Sequence, residues 1–152
     1  MASTGKEFQN VVVAFDGSGD SVKAVQLACS IALEFGSKLA VVHVYSSLTT
    51  VFAGGVGVPI PNYSALEDAA KSAAAAVLSK GIQTAAHYGV KARGELIEAP
   101  SVVEALVAFA TDQKIDLIVV GTRGMTGFKK LIMGSVASGL VSHARCPVMV
   151  VR

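Results

Sequence analysis

The chain has 152 residues, of which 52% are hydrophobic and 16% charged, so it suits one compact domain that spans residues 1–152 and buries a sizeable core. Its net charge is +2 and its 13 basic residues are scattered, which excludes the continuous basic stripe of a nucleic-acid-binding surface. No apolar run approaches the roughly 20 residues of a membrane-spanning helix. The N-terminus is polar, so we expect no membrane partner and a cytoplasmic location.

Apolar periodicity predicts short strands that alternate with helices along the chain. The predicted strands are residues 11–15, 38–45, 90–97, 115–120 and 147–151. The predicted helices are residues 22–35, 63–87 and 135–143, with one more that opens at Ser101. Strict alternation of this kind implies helical crossovers, and therefore an α/β fold with a parallel sheet covered by helices on both faces.

Two of the predicted strands differ in character. Residues 90–97 alternate polar and apolar side chains, which is typical of an edge strand. Residues 115–120 are apolar on both faces except at Asp116, as expected for a central parallel strand.

The long helix over residues 63–87 contains one irregular position. Gly81 lies inside it, and glycine is less favourable in a helix than alanine by about 1 kcal/mol, which allows a kink or an early end there. The apolar face of this helix is predicted to comprise Leu66, Ala70, Ala73 and Val77.

A glycine-punctuated loop follows the strand over residues 115–120. Gly121-x2-Gly124 is followed after nine residues by Gly134-Ser135, directly before the last helix. Glycines let the backbone come close to an anion because no Cβ intervenes. The helix start presents unpaired N–H groups and the positive end of its dipole. A strand, a glycine loop and a helix N-terminus in this order therefore predict a phosphate site.

Two other phosphate motifs do not fit the sequence. A P-loop needs Gly-x4-Gly-Lys-Ser/Thr, but in the stretch that starts at Gly134, Leu140 stands where the lysine is required. A dinucleotide fingerprint needs Gly-x-Gly-x-x-Gly after the first strand, but Val22 stands where the third glycine is required.

The spacing Gly121-x2-Gly124-x9-Gly134-Ser135 resembles the nucleotide-binding motif of the universal stress protein family, in its ATP-binding branch. The likeness extends over nearly the whole chain, because further segments look like family segments in family order. These segments are residues 12–18, 39–44, 116–121 and 146–151. Several segments in register around one glycine spacing make the resemblance specific.

The resemblance implies a Rossmann-like, five-stranded parallel sheet in the order 3-2-1-4-5, of the adenine nucleotide alpha hydrolase-like kind. It also implies one adenine nucleotide per subunit, which is ATP, AMP or another adenine nucleotide, with Mg²⁺ as a possible companion ion. A homodimer is implied as well, in which the strand over residues 147–151 pairs antiparallel with its copy. A protein partner of unknown identity is expected in addition.

The resemblance also assigns roles to individual residues. Asp16 would meet the ribose or polar groups on the adenine side, and Val44 would receive the adenine edge through its backbone. Gly121 and Gly124 would let the backbone pass close to the ribose and phosphates. The residues that would line the base pocket or hold phosphate through backbone N–H groups are Ala14, Phe15, Val120, Gly134, Ser135 and Val136.

Some of these residues also have a purely structural interpretation. Asp16 is alternatively a helix N-cap, and Ser135 is predicted to cap the last helix whether or not phosphate is present. Arg123, Lys129 and Lys130 form a local basic group that either neutralises phosphate charge or lies in solvent.

Three functions are compatible with these features. Phosphoryl transfer generally needs a divalent metal and a group that positions the nucleophile. The pattern places Asp16 as the only carboxylate at the carboxyl end of the sheet, and Asp116 at the opposite end. We therefore favour a nucleotide-dependent regulatory switch in stress response over a slow ATPase or phosphotransferase. The apolar segment 48–60 supports a third interpretation, a protein-interaction module in which the ligand is secondary.

Overall fold

The computed structural model describes residues 7–47, 59–123 and 133–152. Gly124, the basic pair Lys129 and Lys130, and most of the apolar segment 48–60 lie outside the described residues. All other predicted site residues lie inside them.

Strands and helices alternate along the described chain, as predicted. The strands are β1 (Asn10–Ala14), β2 (Lys38–Tyr45), β3 (Arg93–Glu98), β4 (Leu117–Gly121) and β5 (Val148–Val151). The helices are α1 (Gly19–Phe35), α2 (Tyr63–His87), α3 (Val102–Asp112) and α4 (Ser135–His143). None of the helices in the described ranges combines the length and the apolar character needed to cross a bilayer.

The strands form one parallel sheet in the order β3-β2-β1-β4-β5, which confirms the predicted order 3-2-1-4-5. In register, Val12 of β1 lies between Ala40 of β2 and Ile118 of β4. The chain order therefore reverses on the two sides of β1. In open parallel sheets a crevice forms outside the carboxyl ends of the strands at such a reversal. The predicted edge position of β3 is confirmed.

Alternate residues of the strands pack into two separate cores. Val11 and Val13 of β1 face α1 and α2, where Ala28 and Ala85 are fully buried. The intervening Val12 faces α3 and α4. Helices therefore cover both faces of the sheet, and the central strands read as continuous apolar runs because both of their faces are buried.

Helix α2 runs through Gly81 without interruption, so the predicted kink or early end is wrong. Gly81 is buried, and an ideal Cβ on it would lie 2.8 Å from Phe15 Cδ1 and 2.9 Å from Val41 Cγ1. The glycine thus permits close packing of the helix against the sheet. The predicted face is wrong in part: Leu66 is 46% exposed and Ala73 is exposed, whereas Val77 packs against the core as predicted. The buried residues of this helix are Ala74, Gly81 and Ala85.

We predict that Gly81→Ala destabilises the fold although alanine is the better helix former. The new Cβ must displace the buried Phe15 ring or Val41, and overpacking of a core typically costs about 1–3 kcal/mol. The matched control is Gly19→Ala at the start of α1, where a Cβ meets no atom within 4 Å. Urea unfolding should show a lower free energy of unfolding for Gly81→Ala than for Gly19→Ala. Equal stability of the two variants would contradict the packing role of Gly81.

Candidate functional site

A cavity of about 290 Å³ opens at the carboxyl ends of β1, β2 and β4. The predicted site residues that line it are Ala14, Phe15, Asp16, Val44, Val120, Gly121, Arg123, Gly134, Ser135 and Val136. Lining residues that the sequence did not indicate are Ser21, Val42, His43, Val102, Leu106, Thr122 and Ala137. The described part of the predicted site is therefore brought together in one place.

One wall of the cavity is apolar and comes from three elements. Val42 and Val44 lie in the second half of β2, Val102 and Leu106 belong to the first turns of α3, and Ala137 belongs to α4. Leu106 is fully buried, and Ala137 and Val42 are each 1% exposed. Such a wall suits a flat apolar or aromatic group, because ligand pockets are mostly apolar with a few placed polar groups.

Asp16 follows β1 in a tight turn that leads into α1. Its Oδ1 accepts a hydrogen bond from Ser18 N at 2.9 Å, and Gly17 adopts a positive φ of 85°. The N-cap of α1 is Ser18, whose hydroxyl accepts from Ser21 N. The alternative interpretation of Asp16 as the N-cap is therefore wrong. The turn instead holds the Asp16 carboxylate at the cavity wall.

His43 supports the same turn from β2. Its Nδ1 lies 2.8 Å from Phe15 O. Because a carbonyl oxygen only accepts, Nδ1 carries the proton. The bond fixes the peptide that directly precedes Asp16.

Both described glycines of the motif have packing reasons for being glycine. An ideal Cβ on Gly121 would lie 2.9 Å from the Asp20 backbone carbon, and one on Gly134 would lie 2.9 Å from Thr122 O. Any larger residue would push α1 or the loop away from the end of β4. The role of these glycines in admitting a ligand stays a prediction.

Thr122 joins the two ends of the glycine loop to β5. Its N–H and its Oγ1 each donate to Val151 O at 2.7 Å, and its own carbonyl accepts from Gly134 N at 2.7 Å. The start of α4 is thereby fixed against the end of β4. Because the Gly134 N–H is used in this bond, the predicted amide donors that remain for a phosphate are those of Ser135 and Val136.

The first turn of α4 faces the cavity. Its N-cap is Gly134, so the prediction that Ser135 caps the helix is wrong: Ser135 is the first helical residue, and it is exposed. The N–H groups of the first turn have no acceptor within their own helix, and the helix dipole places partial positive charge there. This end of the cavity can therefore bind an anion.

Two further carboxylates lie at the carboxyl end of the sheet, so the prediction that Asp16 is the only one there is wrong. Asp20, in the first turn of α1, pairs with Arg123 at 3.3 Å. Glu98, at the end of β3, accepts from the Tyr45 and Ser47 hydroxyls. Partial desolvation, and then the Glu98 carboxylate, raise the pKa of Tyr45. Neither Asp20 nor Glu98 lines the cavity, whose one described carboxylate is Asp16.

Asp116 lies at the amino end of the sheet, as predicted. Its carboxylate accepts from the backbone N–H groups of Gln9 and Asn10. Within residues 7–47, 59–123 and 133–152, no three His, Cys, Asp or Glu residues cluster as metal ligands would.

Comparison with known proteins identifies the family. The family model described as the universal stress protein family matches residues 7–152. The chain belongs to the universal stress protein family. A universal stress protein of Methanocaldococcus jannaschii is 34% identical over 146 residues, which cover 95% of this chain and 82% of the relative.

Solved structures of the family share the fold. Universal stress protein UspA from Lactobacillus plantarum is similar with a TM-score of 0.76 and 26% identity, over 96% of this chain and 99% of that one. A universal stress protein solved in complex with cAMP is similar with a TM-score of 0.67 and 27% identity, over 96% and 98% of the two chains. The resemblance noted from the sequence and the fold class are both confirmed.

We predict that Thr122→Val weakens the junction between the glycine loop and β5. The change removes the Oγ1 bond to Val151 O, and one lost hydrogen bond typically costs about 1 kcal/mol. Thr122→Ser, which keeps the hydroxyl, should restore most of the stability. Thr84→Val is the matched control and should lower the stability less, because the Thr84 hydroxyl donates only within α2, to Lys80 O one turn back. Thermal unfolding that fails to separate Thr122→Val from Thr122→Ser would contradict this role.

Proposed function

We propose that this universal stress protein belongs to the ATP-binding branch of the family and binds an adenine nucleotide in the cavity beside β1 and β4. In this proposal the protein acts as a nucleotide-dependent regulatory switch in stress response. The observation that carries the proposal is the division of the cavity into an apolar wall and an anion-binding end. A nucleotide has the same two parts.

The apolar end has the properties needed for the base. Val44 belongs to the apolar wall from β2, α3 and α4, and its backbone would receive the adenine edge. Ala14, whose side chain is small, lines the same cavity. Asp16 lines the same cavity, and its carboxylate would accept hydrogen bonds from the ribose hydroxyls. The cavity volume is close to the lower end of the roughly 300–1,000 Å³ that small-molecule pockets span.

The anion-binding end suits the phosphates. The amides of Ser135 and Val136 begin α4, the Ser135 hydroxyl is exposed beside them, and Arg123 lines the same cavity. Helix N-termini bind phosphate through such amides and through the helix dipole. The relative solved with cAMP supports an adenine nucleotide as the ligand class. ATP is the proposed ligand within that class, with Mg²⁺ as a companion that would bind its phosphates.

Binding is better supported than rapid turnover. Among the described lining residues, Asp16 is the one acid and no lysine is present. Fast phosphoryl transfer usually combines bridging metal ions, a phosphate-binding lysine and a residue that positions the nucleophile. A slow ATPase or phosphotransferase centred on Asp16 is therefore the second candidate. The interaction-module interpretation depends on segment 48–60, most of which lies outside the described residues.

We predict that filling the apolar end weakens ATP binding. Ala14→Leu places a larger side chain at the cavity, where it occupies space that the ligand needs. ATP affinity measured by calorimetry should therefore fall by at least about tenfold, which corresponds to about 1.4 kcal/mol. Ala73→Leu is the matched control, because Ala73 is exposed on α2 and remote from the cavity. Circular dichroism verifies that both variants fold.

The wild-type chain should bind ATP in the same experiment. A folded wild-type protein that binds neither ATP nor AMP nor cAMP would refute the proposed function. Ala14→Leu with wild-type affinity would place the nucleotide elsewhere on the molecule.

The edge of the sheet supports a homodimer. A cytoplasmic location and a further protein partner, still to be identified, are also part of the proposal. Strand β5 lies at one edge, consists of Val148, Met149, Val150 and Val151, and is half-buried along its length. An apolar edge strand is commonly protected by pairing. Antiparallel pairing with β5 of a second copy would cover it.

We predict that light scattering of the purified chain gives the mass of two subunits. Dilution should shift the mass towards one subunit, because the interface is between copies. A mass of one subunit at every concentration would contradict the dimer and leave the β5 edge to a different partner.

A further inference from the structure

An ion pair lies next to the anion-binding end of the cavity. Asp20 belongs to the first turn of α1, its side chain is only 10% exposed, and its Oδ2 lies 3.3 Å from Arg123 Nε. Arg123 is 32% exposed and lines the cavity. Among the described lining residues it is the only lysine or arginine, so Arg123 supplies the positive charge that their lysine and arginine side chains bring to the cavity.

The packing around the pair holds Asp20 in place. The Asp20 backbone touches Gly121 so closely that a Cβ on the glycine would lie 2.9 Å away. The Ser18 hydroxyl donates to Arg123 O at 3.5 Å, which ties the backbone of the arginine to the start of α1. A buried carboxylate is unfavourable without a cationic or hydrogen-bonding partner, so Asp20 retains Arg123 beside it.

The carboxylate reduces the field that Arg123 exerts on a ligand. A negative charge one ion-pair distance from the guanidinium offsets much of its potential in the cavity, where Asp16 adds a second negative charge. A guanidinium carries five N–H donors in total, so one arginine can serve both a carboxylate and a phosphate. Phosphates in the cavity therefore meet Arg123 with its charge partly neutralised.

We propose that Asp20 is a specificity-determining residue of this site, which limits the preference for ligands that carry several phosphate charges. The proposal rests on the proposed nucleotide binding and deepens it. Asp20 acts through Arg123 and has no contact of its own with the cavity, so it is a positioning residue and a charge-balancing one.

The test is calorimetry with Asp20→Asn in buffer that contains EDTA, so that no metal ion alters the phosphate charge. Asparagine keeps an oxygen that accepts from Arg123 Nε and removes only the charge. We expect ATP to bind about tenfold more tightly than to wild type, AMP about threefold more tightly, and adenosine unchanged. Adenosine separates the charge effect from any change in the shape of the cavity.

Asp112→Asn is the matched control for net charge. Asp112 ends α3, is exposed, and lies at the amino end of the sheet, away from the cavity. The Asp112→Asn variant should bind all three ligands with wild-type affinity. An equal gain of ATP affinity in Asp112→Asn would overturn the proposal, since the effect would then be general.

Arg123→Gln tests the step on which the proposal depends, because Asp20 can act only if Arg123 contributes to phosphate binding. It should lower the ratio of ATP to AMP affinity while adenosine binds as to wild type. An unchanged ratio in either variant overturns the proposal while wild-type binding of ATP upholds the proposed function. A wild-type chain that binds none of the three ligands refutes both.

Discussion

The close contact between the first turn of α1 and the end of β4 determines the geometry of the site. Glycine at position 121 permits it, because a Cβ there would meet the Asp20 backbone at 2.9 Å. The contact brings Asp20 beside Arg123 and places Thr122 against Val151 and Gly134. Residues 121–123, at the end of β4 and directly after it, thus contact α1, β5 and the start of α4. A binding site built on such a junction is held by rigid elements rather than by a loop alone.

The same contact clarifies what the glycine motif means. Gly121 and Gly134 are each required by packing, so neither residue alone is a signature of phosphate binding. The support for a nucleotide comes from their combination with the first turn of α4 on one side and the apolar wall around Leu106 on the other. A P-loop also leads into a helix start, but its cation is a lysine, whereas the described cation of this cavity is an arginine paired with a buried carboxylate.

Sequence reasoning located most of this site through the family resemblance, and one physical rule explains why these residues meet: the carboxyl ends of parallel strands lie at the same edge of the sheet. Asp16, Val44 and Gly121 each end or follow a predicted strand, and the structure places all three on one cavity. Val102 and Leu106 were missed because helical periodicity identifies the buried face of α3 but not which of its turns reaches the sheet edge. Asp20 was missed because an acidic residue in the first turn of a helix is ordinary, and the sequence does not show that this one is buried where α1 packs against Gly121.

The misplaced details share a cause in tertiary packing. Helix propensity made Gly81 an expected defect, whereas its contact with Phe15 makes it a requirement. For Ser135, sequence preference indicated a cap, but the bond from Gly134 N to Thr122 O moved the cap back by one residue.

The most direct test of the nucleotide site is an NMR titration of the amide-labelled chain with ATP. We expect the largest shifts at the Ser135 and Val136 amides and at Val44. Shifts confined to residues outside the cavity, or none at all, would contradict nucleotide binding at this site.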